Sequence, residues 1–336
     1  MRLHRYLLRR VAFVVPQLLG VTLITFLLVQ LIPGDPARLM LGPLASEDTI
    51  RLLRDHLGLN RSLAEQYGLY VWHALQGDLG TSWRSTNAVA HDLGQRLPAT
   101  LELISYSLVV AVAVAIPLGV RAARRPGKVS DRVSFGYGLV AGALPEFWLG
   151  LILILVFYVK LGWTAAPSGR LDIGVDPPRD LTGAYTVDAL LTGNWTALRS
   201  AFAHLLLPVA TLAVVTIGPI LKMTRSTMQQ MLAADFTRYA RLSGLPERLV
   251  ARYALRNALP PVVTLVAVLY SFLIGGAVLV EVVFGWGGAG QYAVQGVLDA
   301  DFAVVQGFVL VSAIISLVVY LIVDLVYLAI DPRLTH

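Results

Sequence analysis

Nucleotide hydrolysis on this chain would need a phosphate-cradling loop, whose lysine follows a glycine and precedes a serine or threonine. The chain has three lysines, Lys128, Lys160 and Lys222; only Lys128 follows a glycine, and Val129 comes next. There is no P-loop. Neither an H-E-x-x-H nor a G-x-S-x-G stretch occurs, and the six histidines are scattered without paired ligand spacing. Cysteine is absent, which removes a disulfide framework, a thiolate metal site and a cysteine nucleophile together. Nothing in the residue types supports catalysis on the chain itself.

The remaining chemically pointed residues are charges in unusual places. Glu102, Glu146, Glu281 and Asp324 lie within apolar runs, where an ionised group is expensive and often functional. Glu102, near the outer end of its run, reads as an interfacial hydrogen-bonding group. Glu146 follows Pro145 at a break and suits either satisfaction of freed backbone groups or the lining of a pathway. Glu281 follows Gly275-Gly276-Ala277, small residues that let backbones approach closely. Gly275, Gly276, Glu146 and Glu281 are therefore the candidates for a pathway lining or gate. Asp324 reads as the structural partner of a basic residue.

A second pattern is basic. Asp235 to Ser243, which includes Arg238, Tyr239 and Ala240, suits a short helix that Gly244 ends in a left-handed cap. After Leu245, Pro246 suits the first position of a following helix, with Glu247 in its first turn. In that helix Arg248, Arg252 and Arg256 recur every four residues as a stripe, and Leu249 and Tyr253 lie one position round. A helix–Gly–Pro–helix hairpin is a rigid handle for a partner to grip. A helix resting on anionic headgroups would account for the same arginines.

The elements that carry these residues are membrane spans. Hydrophobic residues make up 56% of the 336 and charged residues 14%, against roughly 25% charged in a soluble domain. The apolar residues fall in blocks of bilayer-spanning length, near Val11–Ile32, Leu101–Val120, Val133–Val159, Phe202–Leu221, Val262–Phe284 and Val304–Ile330. The first block follows Arg2, Arg5, Arg9 and Arg10. It is longer than a signal-peptide core and ends in Ile32-Pro33-Gly34-Asp35-Pro36, so it reads as a retained anchor. The third contains Leu144-Pro145-Glu146 and reads as one tilted or Pro-kinked helix. The expected fold is an all-α membrane protein of about six transmembrane helices.

Residues 1–32 form the N-terminal segment and first span, 33–100 an extracytoplasmic insertion, and 101–336 a five-span core with a cytoplasmic loop at 222–261. Short amphipathic helices fit Thr49–Leu57 and Leu63–Leu75 within the insertion, and Gly58-Leu59-Asn60 and Gly77-Asp78-Leu79-Gly80 are turns. Trp148, Trp163, Trp195 and Trp286 read mostly as interfacial belt residues. Basic residues set the orientation. With the N-terminus inside, the inner segments hold Arg2, Arg5, Arg9, Arg10, Arg121, Arg124, Arg125, Lys128, Arg132, Lys222, Arg225, Arg238, Arg241, Arg248, Arg252, Arg256 and Arg333. That is 17 of the 27. Both termini are then cytoplasmic.

Asp235–Thr264 resembles the cytoplasmic loop of ABC-importer permeases of the dipeptide/oligopeptide class. The resemblance extends to Gly77-Asp78-Leu79-Gly80, to Arg96-Leu97-Pro98-Ala99-Thr100-Leu101-Glu102-Leu103, to Val304-Val305-Gln306-Gly307, to Val323-Asp324-Leu325-Val326-Tyr327 and to Asp331-Pro332-Arg333. It implies a type I importer permease fold in the cytoplasmic membrane of a bacterium or archaeon. In that family an E-A-A-x-x-x-G element docks into a groove on an ATPase subunit. Ala240 and Gly244 keep their places in it, Arg238 and Tyr239 stand where the general motif has Glu and Ala, and Asn257 stands near its proline.

The resemblance implies further partners: a second homologous permease, two cytoplasmic ATPases that carry ATP and Mg, and an extracytoplasmic binding protein. It implies no cofactor on this chain and no nucleic-acid partner. The function implied is import of short peptides, with nickel, glutathione, opines or oligosaccharides as the cargo of relatives. An ion-gradient-driven carrier is the rival from another class. It would be expected to show inverted repeats and midplane ion sites, and no such repeat is apparent. An intramembrane enzyme lacks its motifs.

Overall fold

The structure, a computed structural model, describes residues 3–30, 35–42, 44–56 and 58–330. Expectations that rest on residues 31–34 and 331–333 lie outside the described residues, as does the side chain of Asp324. The described residues are helical, with no strand beyond an isolated bridge between Thr81 and Ala88. In chain order the helices begin with α1 (Leu3–Gln30), α2 (Pro36–Leu41), α3 (Glu47–His56), α4 (Leu63–Leu75) and α5 (Val89–Ala123). Then come α6 (Val129–Ala141), α7 (Glu146–Leu153) with a π-helical continuation over Ile154–Lys160, α8 (Tyr185–Thr192) and α9 (Trp195–Ala233). The last are α10 (Asp235–Leu242), α11 (Glu247–Gly276), α12 (Val278–Val283), α13 (Ala289–Leu298) and α14 (Phe302–Ile330).

Among the described residues five helices are long and apolar enough to cross a membrane: α1, α5, α9, α11 and α14. The third expected span is divided instead. α6 stops at Ala141, and α7 starts only at Glu146. Proline lacks an N–H and disfavours helical backbone in the residue before it, so Leu144-Pro145 cannot continue the α6 ladder. The boundary expected between the hairpin and the fifth span is absent. α11 runs unbroken through Pro260 and Pro261 to Gly276, and the rest of that span is the separate helix α12.

The helices fall into two packed units. One contains the residues up to Pro98 and Gly287–Val318. Within it α2 starts at Pro36 under an Asp35 cap, whose side chain accepts from the Ala37 N–H at 3.2 Å. α4 starts at a capping box between Ser62 and Glu65. Asp92 accepts from Ser85, Asn87 and Tyr292, and the Arg96 guanidinium stands 4.9 Å from the Tyr292 ring. Ser82 donates to the enclosed Asp301 at 2.6 Å. This buried polar network orders the turn sequence near Gly80.

The other unit is centred on α9, against which α6, α7, α8 and α11 pack. Leu108, Ala111 and Ala115 of α5 meet Ala213, Ile217, Ile220 and Leu221 of α9 and Val262 of α11 in its core. Small residues bring the backbones close. A Cβ at Gly119 would stand 2.7 Å from the Thr224 Cβ. Such approach suits helices that associate by packing where hydrocarbon supplies no hydrophobic drive. Arg225 of α9 grips Asp131 through Nε and, at 3.1 Å, through Nη2, while the Gly127 N–H donates to the same carboxylate at 2.9 Å. That pairing ties the 124–128 turn to the central helix.

Before α9, the segment 181–183 wraps the buried Asp188. Its carboxylate accepts from the Leu181, Thr182 and Gly183 N–H groups and from the Thr182 hydroxyl. Burial pushes this carboxyl up, but the four hydrogen bonds outweigh burial and hold it below the usual carboxylate value of 3.8. A lowered pKa makes the stabilisation complete above 3.8 and lost as pH falls through the lowered value. Asp188→Asn is expected to cost about 1–3 kcal/mol by leaving N–H donors without their acceptors. Hydrogen exchange at residues 181–183 should quicken in the variant at pH 7, and the gap from the parent chain should close in acid.

Candidate functional site

The hairpin after α9 is built from a capped turn. α10 follows Ala234, and the Thr237 hydroxyl, wholly buried, lies 2.7 Å from the Ala234 carbonyl and within 3.0 Å of those of Met231 and Leu232. At the other end the Gly244 N–H donates to the Arg241 carbonyl at 3.0 Å, and the Leu245 N–H donates to the Ala240 carbonyl at 3.1 Å. This pair of bonds is a Schellman cap. Gly244 holds φ at +76°, and a Cβ there would meet no atom within 4 Å. Backbone conformation, not space, therefore asks for glycine.

Pro246 occupies the cap position and not the first helical position expected for it. With φ −63° and ψ 142°, it precedes a helix that starts at Glu247. The fixed φ of proline suits both positions, and an extended ψ places it outside the helix. Its carbonyl accepts from the Leu249 N–H at 2.8 Å. Arg241 Nε donates to Glu247 across the turn at 2.8 Å. The pair is exposed, so it aligns the turn more than it stabilises it.

The hairpin has an inner and an outer face. Ala240 of α10 is buried, and Ala251, Ala254 and Ala258 of α11 pack with Ala123 and Met228. On the other side Asp235, Arg238, Arg248, Arg252 and Arg256 are uncovered by the chain, while Leu245 and Leu249 are half-buried. Tyr239 and Leu242 are 74% and 80% exposed, and Phe236 and Tyr253 are exposed beside them. The structure thus adds Phe236 and Leu242 to the expected surface. Their spacing with Tyr239, three residues apart, was the available signal. The hairpin thus leaves large apolar side chains and arginines exposed along the same two helices.

The second group of candidates is only partly gathered. Glu146 opens α7 at the helix break and is half-buried. A Cβ on Gly276 would stand 3.7 Å from Glu146 Oε2 and 3.2 Å from the Phe272 ring, so α11 carries its glycine where Glu146 crosses it. Gly275 faces open space. Glu281 is completely enclosed, and the Thr100 hydroxyl donates to it at 2.5 Å.

Glu102 is held by an arginine and a threonine. Arg170 Nη2 donates to it at 2.7 Å, and Thr186 donates through its N–H at 2.8 Å and its hydroxyl at 2.6 Å. The Arg170 guanidinium also lies 3.5 Å from the centre of the Tyr185 ring. Trp286 is buried here and not at an interface as expected; its Nε1–H donates to the Ala99 carbonyl at 2.9 Å. Trp148, Trp163 and Trp195 remain exposed. Arg170 escaped the sequence reading because it stands in a polar loop. The signal was Glu102 itself, a carboxylate in an apolar run that needs a cation.

Comparison with known proteins places this sequence among membrane transport components. Residues 115–336 match the family described as binding-protein-dependent transport system inner membrane component. Residues 3–104 match the N-terminal membrane component of the same kind of system. The dipeptide transport system permease protein of Escherichia coli (strain K12) is 38% identical over 99% of both chains. A probable D,D-dipeptide transport system permease protein of that strain is 42% identical, over 94% of this chain and 93% of its own. The glutathione transport system permease protein of Salmonella choleraesuis (strain SC-B67) is 35% identical over 98% of this chain and 99% of its own.

Arg170→Met would leave Glu102 enclosed without its cation, at a cost of about 3–5 kcal/mol. The expected readout is a lower thermal midpoint of the chain in detergent, mostly recovered by adding Glu102→Gln. An unchanged midpoint in the single variant would remove the pair from the fold's support.

Proposed function

The chain belongs to the family of binding-protein-dependent transport system inner membrane components, and from that membership we propose that it forms half of the translocation pathway for short peptides. It is a multi-pass membrane protein and the permease subunit of an ABC importer. The peptide reading rests on the two dipeptide permeases, each matched over at least 93% of its length. The glutathione permease supports a second cargo reading, at 35% identity.

In this proposal the hairpin from Asp235 to Arg256 is the handle held by a cytoplasmic ATPase. The observation that carries it is the exposure of Tyr239 and Leu242 beside a glycine-capped turn in an arginine-rich hairpin. ATP and Mg bind on two such partner subunits, a second related permease completes the pathway, and an extracytoplasmic binding protein delivers the cargo. The excess of arginine in the segments around 121–132 and 222–261 supports this orientation, with both termini in the cytoplasm. Glu146 and Gly276, neighbours at the α6–α7 break, are the favoured pathway pair. Gly275 is a second lining position, and Glu281 is a gate residue that would act by release from Thr100.

The defining experiment is purification of the tagged chain in mild detergent. Co-purification of a second permease and P-loop ATPases supports the importer. A solitary chain that transports without ATP overturns it. Gly244→Val places a β-branched residue in left-handed backbone, at about 1–2 kcal/mol, and should uncouple uptake from ATP hydrolysis while insertion is retained. Normal uptake would remove the turn from the coupling. Reversing Arg248, Arg252 and Arg256 to Glu should weaken ATPase co-purification at least about tenfold, equivalent to ~1.4 kcal/mol. Full retention would assign the stripe to lipid headgroups.

A further inference from the structure

We propose that α4 is seated in the lipid bilayer, with acyl chains of the outer leaflet covering its free face. The depth follows from its partners on α1, whose candidate span, by length and apolarity, is Phe13–Gln30. Tyr67 Oη lies 3.0 Å from both the Thr22 hydroxyl and the Leu19 carbonyl oxygen. The Phe26 ring stands 5.6 Å from that of Tyr67 and 6.4 Å from that of Tyr70, and the Gln30 and Gln66 amides pair at 3.3 Å. Every one of these α1 residues is inside the span. Leu19 is about 16 Å along the axis from Gln30, at 1.5 Å per residue. A helix beyond the membrane surface could not reach it.

α4 is also made for that place. Its 13 residues give a length of about 20 Å, too short to cross the ~30 Å hydrocarbon core by itself. The Ser62–Glu65 capping box satisfies the Ser62 and Glu65 N–H groups at its start. The face turned from α1 presents Leu69, Trp72 and Leu75 at three-residue spacing, 38%, 60% and 78% exposed. On α1 the apolar side chains of Leu23, Ile24 and Leu27 are likewise uncovered. The choice of leaflet rests on the orientation proposed above; the burial in lipid does not.

The chain has no cysteine, so single cysteines can carry a nitroxide label without background. Leu69→Cys and Leu75→Cys would be labelled in the importer as purified with its partners and reconstituted in phosphatidylethanolamine–phosphatidylglycerol vesicles. The expected result is relaxation by dissolved oxygen over a water-soluble nickel chelate, in the ratio given by Leu23→Cys on α1. Asn60→Cys, in the preceding turn, should give the reverse ratio. A nickel-favouring ratio at 69 and 75 overturns the proposal and makes the face aqueous. Shielding from both reagents also overturns it and makes the face a protein contact. ATP-driven uptake in the same vesicles reports separately on the transport reading, so failure of one is distinguishable from failure of the other.

Discussion

Hydrocarbon offers no hydrogen bond to a backbone, so a chain that crosses it must satisfy every peptide group internally. That constraint makes the described residues helical throughout the apolar blocks and gives each interruption a local cause. At Pro145 the interruption is a missing N–H and a disfavoured helical conformation before it. At Gly244 it is a left-handed residue whose neighbours' N–H groups return to the helix they close. Where prolines cause no interruption, as at Pro260-Pro261, tight packing along α9 carries the helix through.

The same constraint sorts the acids. A carboxylate within an apolar stretch needs donors, and the chain meets that need differently at each one. Glu102 has an arginine and a threonine, Glu281 is enclosed with Thr100, and Glu146 sits half-buried at a helix break. The first is a structural pair with a loop arginine. The other two stand near the points where the helical ladder is broken, which is where a pathway can change shape at least expense to the fold.

Much of this was legible in the sequence. Apolar block length gave the class and five of the spans, because hydrophobic length is a direct physical requirement of the bilayer. Gly244 was readable as a helix end because few other residues take left-handed backbone. The division of the third span was less so: Pro145 signalled a disturbance, but a kink and a full break share one sequence signature. Pro260-Pro261 misled in the other direction, since helix continuation depends on packing partners that a local reading does not contain. Arg170 and Trp286 lay hidden for a related reason. Their partners, Glu102 and the Ala99 carbonyl, are distant in the chain, and only the fold brings them together.

The unbroken course of α11 from Glu247 to Gly276 has a thermodynamic consequence. One rod joins the hairpin to the glycine that meets Glu146, so the two places lie on one continuous helix. Free-energy coupling between such sites is reciprocal. If ATPase attachment at the arginine end biases the neighbourhood of Gly276, cargo near Gly276 must bias ATPase attachment by the same factor. In the proposed importer, a loaded pathway would then be felt at the ATPase with no messenger other than the stiffness of a helix.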